Sequence, residues 1–243
     1  MRTDHSHELK YWAIVPAAGI GQRMNTDTPK QYLKIKSKML IEHTLERLIQ
    51  FPLFTKIIVV LNNEDKYASD INILRHKKII LATGGEKRYH SVINGLKALD
   101  SLADDNDWVM VHDAARPCIR QTDIEWLVEC LRTHDVGGVI GSLVKNTIKR
   151  VDSNGTIVET IDRATLWHTF TPQMFKWKAL TQAMTLSVAN GVSITDEASA
   201  MEYAGYKPMM IKGYDDNIKV TSREDLALAE LYLEQQSKPT KSL

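Results

Sequence analysis

Ile57-Ile58-Val59-Val60-Leu61 is an unbroken apolar run, and every residue before Leu61 in it is β-branched. A strand with one face in water alternates polar and apolar residues. A run with no polar position is covered on both faces, as in the parallel sheets of α/β proteins. Tyr11–Pro16, Ile79–Ala82, Trp108–Val111 and Val136–Val144 read as further strands. Between them Ile41, Leu45, Leu48 and Ile49, then Val92, Leu96 and Leu99, then Ile124, Leu127, Val128 and Leu131 recur at helical spacing. Strands alternating with helices predict a mainly parallel sheet with right-handed crossovers, flanked by helices. A length of 243 residues fits one such domain, expected to span residues 1–243.

Several boundaries are predicted from local signals. Thr122 with Glu125 and Thr221 with Glu224 match capping boxes, and Thr195 matches an N-cap ahead of Asp196 and Glu197. Phe175 to Asn190 suggests a helix, and Lys207–Lys212 a late strand. The alternation breaks at residues 145–166. There Thr147–Val151 and Thr156–Ile161 flank the turn signal Asp152-Ser153-Asn154-Gly155, which reads as an inserted β-hairpin arm. An isolated hairpin is marginal in water, so the arm must pack on its own domain or on a second subunit. A protruding arm has little else to bury against, so contact in a homodimer is the expectation.

The first strand leads into Pro16-Ala17-Ala18-Gly19-Ile20-Gly21-Gln22-Arg23-Met24, answered by Pro29-Lys30-Gln31. Small residues let backbone N–H groups approach a ligand, and Gly19 and Gly21 permit the angles of an anion-binding nest. Arg23 can fork onto phosphate oxygens, and Lys30 adds a compact charge. A dinucleotide fingerprint would need glycine where Met24 stands, and a Walker A loop would need Gly-Lys-Ser/Thr. The pattern predicts a different triphosphate loop.

Ligands of open α/β sheets bind beyond the carboxyl ends of the strands. Three more polar clusters fall there: Gly84–Ser91, His112–Pro117 and Asp215–Lys219. Asp113 is a hard carboxylate suited to Mg²⁺ beside phosphates, although an Asp at a strand end also serves as a turn former. Arg116 is a candidate phosphate fork, and Lys219 faces the same mouth. Gly85, Glu86 and Ser91 offer amides, a carboxylate and a hydroxyl to a base or ribose. Ser91 equally suits a helix cap. His112 lacks a partner at metal-ligand spacing and reads as structural.

Composition narrows the partners. Lys and Arg number 31 against 30 Asp and Glu, a net charge of +1, so no global field recruits nucleic acid or an anionic membrane. Cys118 and Cys130 form no metal-type spacing and fit a reduced compartment. No apolar run approaches a membrane span, and Met1–Lys10 is unlike a signal peptide. The expected location is the cytoplasm.

The glycine loop with Pro29-Lys30-Gln31-Tyr32, Val111-His112-Asp113-Ala114-Ala115-Arg116-Pro117, Thr195-Asp196-Glu197-Ala198-Ser199-Ala200 and Asp216-Asn217-Ile218-Lys219-Val220-Thr221 together resemble the 2-C-methyl-D-erythritol 4-phosphate cytidylyltransferase family, in order, over about residues 11–235. The resemblance implies a Rossmann-like nucleotidyltransferase fold and CMP transfer from CTP to that sugar-alcohol phosphate. It assigns catalysis to Arg23, Lys30 and Lys219, and Mg²⁺ or another divalent cation to Asp113, with Asp216 a weaker candidate for support. Ala17, Ala18, Gly19, Gly21, Gly85, Glu86 and Ser91 would hold CTP. Arg116, Thr147, Arg163, Thr171 and Thr195 would hold the acceptor. Arg163 would reach the neighbouring subunit of a dimer clasped through the arms. The family usually has aspartate at the position of Glu86. A related reaction on ribitol 5-phosphate and a silent nucleotide-sensing module are the competing readings; the former typically carries Ala-Gly-Gly where this chain has Ala17-Ala18-Gly19.

Overall fold

The computed structural model describes residues 9–19 and 28–238. Eleven strands and six helices follow in chain order among them. They are β1 (Tyr11–Pro16), β2 (Lys34–Ile35), β3 (Lys38–Met39), α1 (Leu40–Gln50), β4 (Phe54–Leu61), β5 (Ile79–Thr83), α2 (Arg88–Lys97) and β6 (Trp108–Val111). Then come α3 (Gln121–Leu131), β7 (Gly137–Leu143), β8 (Ile148–Val151), β9 (Ile157–Ile161), β10 (Trp167–Lys176), α4 (Trp177–Ala189), α5 (Glu197–Tyr203), β11 (Met209–Lys212) and α6 (Arg223–Ser237).

A seven-stranded sheet runs β11-β7-β10-β6-β1-β4-β5. β1 pairs in parallel with β4 and β6, β4 with β5, and β7 with β11, whereas β10 is antiparallel to both neighbours. The side-chain alternation of β1 shows why the neighbouring Ile57–Leu61 run carries no polar residue. Ala13 and Val15 pack with Ile57, Val59 and Met110 under α1 and α3. Trp12 and Ile14 pack with Ile58, Val60 and Val111 under α2, α4 and α5. Both faces are dry, and a single-residue slip would misplace every one of these side chains. α6 covers a smaller cluster of Ile35, Leu40, Cys118, Val220 and Ala229.

Four local expectations change. The helix expected from Phe175 starts at Trp177, because Phe175 belongs to β10 and is paired with Val109. Thr122 does not cap α3, whose N-cap is Arg120 without a side-chain bond. The cap of α5 is Asp196, accepting from Ser199 N–H, and not Thr195. The box of α6 is formed by Ser222 and Asp225, one residue beyond Thr221 and Glu224. The arm strands β8 and β9 pair antiparallel as their own sheet, leaving Val151, Ile157 and Val158 more than half exposed.

Candidate active site

The carboxyl ends of β1, β5 and β6 open onto one cleft of about 620 Å³, to which the residue 28–32 segment and the loop before α6 also contribute. Backbone bonds continue from the sheet into its floor. Ala17 N–H donates to the Val60 carbonyl at 2.8 Å, and Gly84 N–H to the Leu61 carbonyl at 2.7 Å. The two loops come so close that a Cβ on Gly84 would lie 2.2 Å from the Ala18 Cβ. Only glycine fits there. Gly85 N–H donates to Ser91 Oγ at 3.2 Å, so Ser91 shapes the loop from within α2 rather than capping that helix.

Lys30 opens a short 3-10 turn, Lys30–Tyr32, anchored on both following residues. Gln31 Nε2 donates to the Ala17 carbonyl at 2.8 Å. The Tyr32 hydroxyl donates to Asp65 Oδ2, and its ring stacks on Tyr67 with centroids 4.8 Å apart. Burial first, and the Asp65 carboxylate second, push the phenol above its usual range.

Asp113 follows β6 and is 6% exposed. Its Oδ1 accepts from Arg88 Nε at 2.8 Å and its Oδ2 faces Lys219 Nζ at 2.8 Å, with Arg116 Nε at 3.7 Å. Burial would raise its pKa. The three cations reverse this and hold the carboxyl well below the usual carboxylate range. Next to it, His112 is wholly buried, and that burial pushes its pKa down to about 4. Arg116's carbonyl accepts only, so His112 Nε2, 3.1 Å away, carries the hydrogen. His112 Nδ1 then accepts from Thr171 Oγ1 at 3.3 Å, and that hydroxyl in turn accepts Asp113 N–H at 3.0 Å. The histidine is a neutral strut.

Ala17, Ala18, Gly19, Gly85, Glu86, Ser91, Lys30, Lys219 and Asp113 all line the cleft. Gly21 and Arg23 lie outside the described residues. The expected acceptor residues do not line it. Thr171 is buried in the His112 strut, and Arg116 donates from Nη1 to the Asn217 carbonyl at 2.8 Å, its guanidinium over the Phe170 ring. Thr147, Arg163 and Thr195 are exposed, with Arg163 donating to the Lys145 carbonyl at the root of the arm. Asp216 accepts a fork from Arg120 and a bond from Gln236 Nε2 at 3.1 Å, so its carboxylate braces α6.

Arg88 and Gln31 also line the cleft and went unread in the sequence. Among the described residues no three His, Cys, Asp or Glu side chains form a metal cluster. One buried carboxylate in a cationic cleft fits a hard divalent ion that takes its remaining ligands from phosphates and water, the habit of Mg²⁺. No helix among the described residues is long and apolar enough to cross a membrane.

The family model described as IspD, 2-C-methyl-D-erythritol 4-phosphate cytidylyltransferase, matches residues 11–235. A curated protein of that name from Vibrio vulnificus (strain YJ016) is 48% identical over 221 residues, covering 91% of this chain and 93% of its own length. The one from Hahella chejuensis (strain KCTC 2396) is 46% identical over 233 residues, 96% of this chain and 97% of its own. The crystal structure of the Francisella tularensis enzyme is similar with a TM-score of 0.79 and 36% identity, covering 92% of this chain and 99% of that one. Fold, motifs and relatives agree along nearly the whole length: the chain belongs to the 2-C-methyl-D-erythritol 4-phosphate cytidylyltransferase family.

Proposed function

We infer that this chain transfers CMP from CTP to 2-C-methyl-D-erythritol 4-phosphate, releasing pyrophosphate, in the non-mevalonate route to isoprenoid precursors. The observation that carries this reading is the pairing of Lys219 and Arg88 with the buried carboxylate of Asp113 in a cleft floored by glycine loops and also lined by Lys30. A phosphate oxygen of the acceptor attacks the α-phosphorus in line. The new P–O bond forms as the bond to the bridging oxygen breaks, and the electron pair leaves with pyrophosphate. Such a transfer needs positioning and charge stabilisation rather than a protein nucleophile.

In this reading Lys30 and Lys219, with Arg23 by resemblance, hold the triphosphate and stabilise charge at the α-phosphoryl group. Ala17, Ala18, Gly19, Gly85, Glu86 and Ser91 receive the nucleoside, with Gly21 joining them by resemblance. Asp113 is the protein ligand for a divalent cation such as Mg²⁺, which when bound neutralises phosphate charge and orients the triphosphate. Arg116, Thr147, Arg163, Thr171 and Thr195 serve the acceptor in a homodimer whose arms supply part of each site. The exposed Ile157 and Val158 support an arm that buries itself on a partner. Cytoplasmic placement and the absence of nucleic-acid or membrane partners belong to the same proposal.

The test is Mg²⁺-dependent pyrophosphate release from CTP, with methylerythritol phosphate and ribitol 5-phosphate offered in parallel. Turnover with the first acceptor, lost in Lys30→Ala and Asp113→Asn, is expected. Turnover with ribitol phosphate alone would overturn the substrate. CTP binding without release from either acceptor would overturn the enzyme reading.

A further inference from the structure

Arg88 ties three elements together at the rim of the sheet. It is the first residue of α2, and it donates from Nη1 and Nη2 to the two oxygens of Glu197 at 2.7 and 3.2 Å. Glu197 is the first residue of α5 and is 0% exposed. That helix start is itself held to β10. Gln173 Nε2 donates to Asp196 Oδ2 at 2.8 Å, and its Oε1 accepts Ala198 N–H at 2.9 Å. With both terminal nitrogens committed to a fixed buried carboxylate, the third donor, Nε, has one direction left to point. It meets Asp113 Oδ1 at 2.8 Å.

The two oxygens of Asp113 are therefore unlike. Oδ1 is held by a rigid, planar fork whose far side is locked in the core. Oδ2 is hydrogen-bonded only by Lys219, a flexible side chain about one third exposed, at the mouth of the cleft, with Arg116 Nε farther off at 3.7 Å. A planar guanidinium fixes an angle, whereas an ammonium on a four-carbon stem can leave without disturbing its partner. A bound anion with its own cation can draw Lys219 away and still find Oδ2 correctly aimed.

We propose that Arg88, braced by Glu197, is the positioning residue of Asp113, reserving Oδ1 so that Oδ2 alone is presented to the nucleotide-bound cation. The proposal rests on the cytidylyltransferase reading, but its binding readout does not require turnover. Outer-shell partners of metal-ligating carboxylates commonly alter metal affinity by roughly 10- to 100-fold.

The variants are Arg88→Lys, which keeps the charge but cannot grip Glu197 at two points and Asp113 at a third, and the pair Arg88→Met with Glu197→Gln, which removes the buried charges together. Thermal midpoints establish folding. Calorimetry then measures CTP affinity with and without Mg²⁺, and kinetics measures the Mg²⁺ concentration for half-maximal rate. Expected for both variants are metal-free CTP binding within about twofold of wild type, a half-maximal Mg²⁺ concentration raised roughly tenfold or more, and kcat reduced more than KM for CTP is raised. Wild-type Mg²⁺ dependence in folded Arg88→Lys would overturn the proposal, because charge alone would then suffice. Equal loss of CTP binding with and without Mg²⁺ would overturn it in favour of direct phosphate contact. Failure of both variants to fold would make Arg88 a structural tie only. A wild-type protein that binds CTP with Mg²⁺ but turns over neither acceptor would sink the reaction while leaving the calorimetric comparison decisive.

Discussion

Lys219 Nζ and Asp113 Oδ2 stand 2.8 Å apart across the mouth of the cleft, a cation facing the oxygen proposed above to take a metal. Lys219→Gln keeps much of the side-chain length and removes the charge. Loss of one preorganised charge at a developing anion costs about 10²- to 10³-fold in kcat. The expected outcome is that loss in kcat, with KM for CTP changed far less, in steady-state assays. A change in KM alone would mean that Lys219 binds the ground state and the transition state equally.

The acid side of the pH–rate profile follows from the same carboxylate. Asp113 has a depressed pKa, so its stabilising interactions are present above the ordinary carboxylate value and are lost only as pH falls through the much lower folded value. It therefore stays ionised throughout the working range. The acid limb of kcat/KM is expected to track the acceptor's phosphate, whose dianion takes up a proton at about pH 6. A limb that moves when Asp113 or its cations are substituted, with the acceptor unchanged, would contradict this.

Tyr32 ties the Lys30 turn to Asp65. Tyr32→Phe keeps the ring and its stack on Tyr67 but strands one acceptor of Asp65, which still caps Tyr67 N–H at 2.9 Å and Ala68 N–H at 3.0 Å. A lost hydrogen bond of about 1 kcal/mol makes a fivefold loss of kcat/KM the expected scale, with little change in thermal midpoint. An unchanged kcat/KM would show that Gln31 alone fixes Lys30.

The strand alternation and the glycine loops were legible because each is written in contiguous residues. β10 was not. Its Thr171-Pro172 lacks an N–H for the ladder, and such a run reads as a non-strand. The sheet tolerates it because the β7–β10 register shifts between Thr169 and Gln173. The caps of α5 and α6 were located to within one residue, since neighbouring polar side chains such as Thr221 and Ser222 compete for the same N–H groups, whereas α3 has its N-cap two residues before Thr122, at Arg120, with no side-chain cap to be read. Arg88 was unreadable for another reason. A basic residue at a helix start looks solvated until Glu197, 109 positions later, is brought against it. The acceptor roles proposed for Arg116, Thr147, Arg163, Thr171 and Thr195 come only through family resemblance, and none of these residues lines the cleft.

Asp123 gives a stability test independent of catalysis. It lies in the first turn of α3, is 3% exposed, and its Oδ2 has no hydrogen-bond partner among the described residues. Burial pushes its carboxyl up to about 6. A raised carboxylate pKa means that the folded protein binds the proton more tightly than the unfolded chain does. Its contribution is thus most favourable below the ordinary value near 3.8 and is lost as pH rises through about 6. A shift of this size is worth on the order of 3 kcal/mol at neutral pH. Asp123→Asn, which cannot ionise, is expected to gain on wild type as pH rises from about 4 to 7, by at most that amount because its amide also needs partners. His112 acts oppositely: its depressed pKa gives stability present above about 6.5 and lost as pH falls through about 4. Urea melts of both proteins across this range separate the two, because the His112 contribution cancels in the difference. A difference independent of pH would show that Asp123 titrates like an ordinary surface carboxylate.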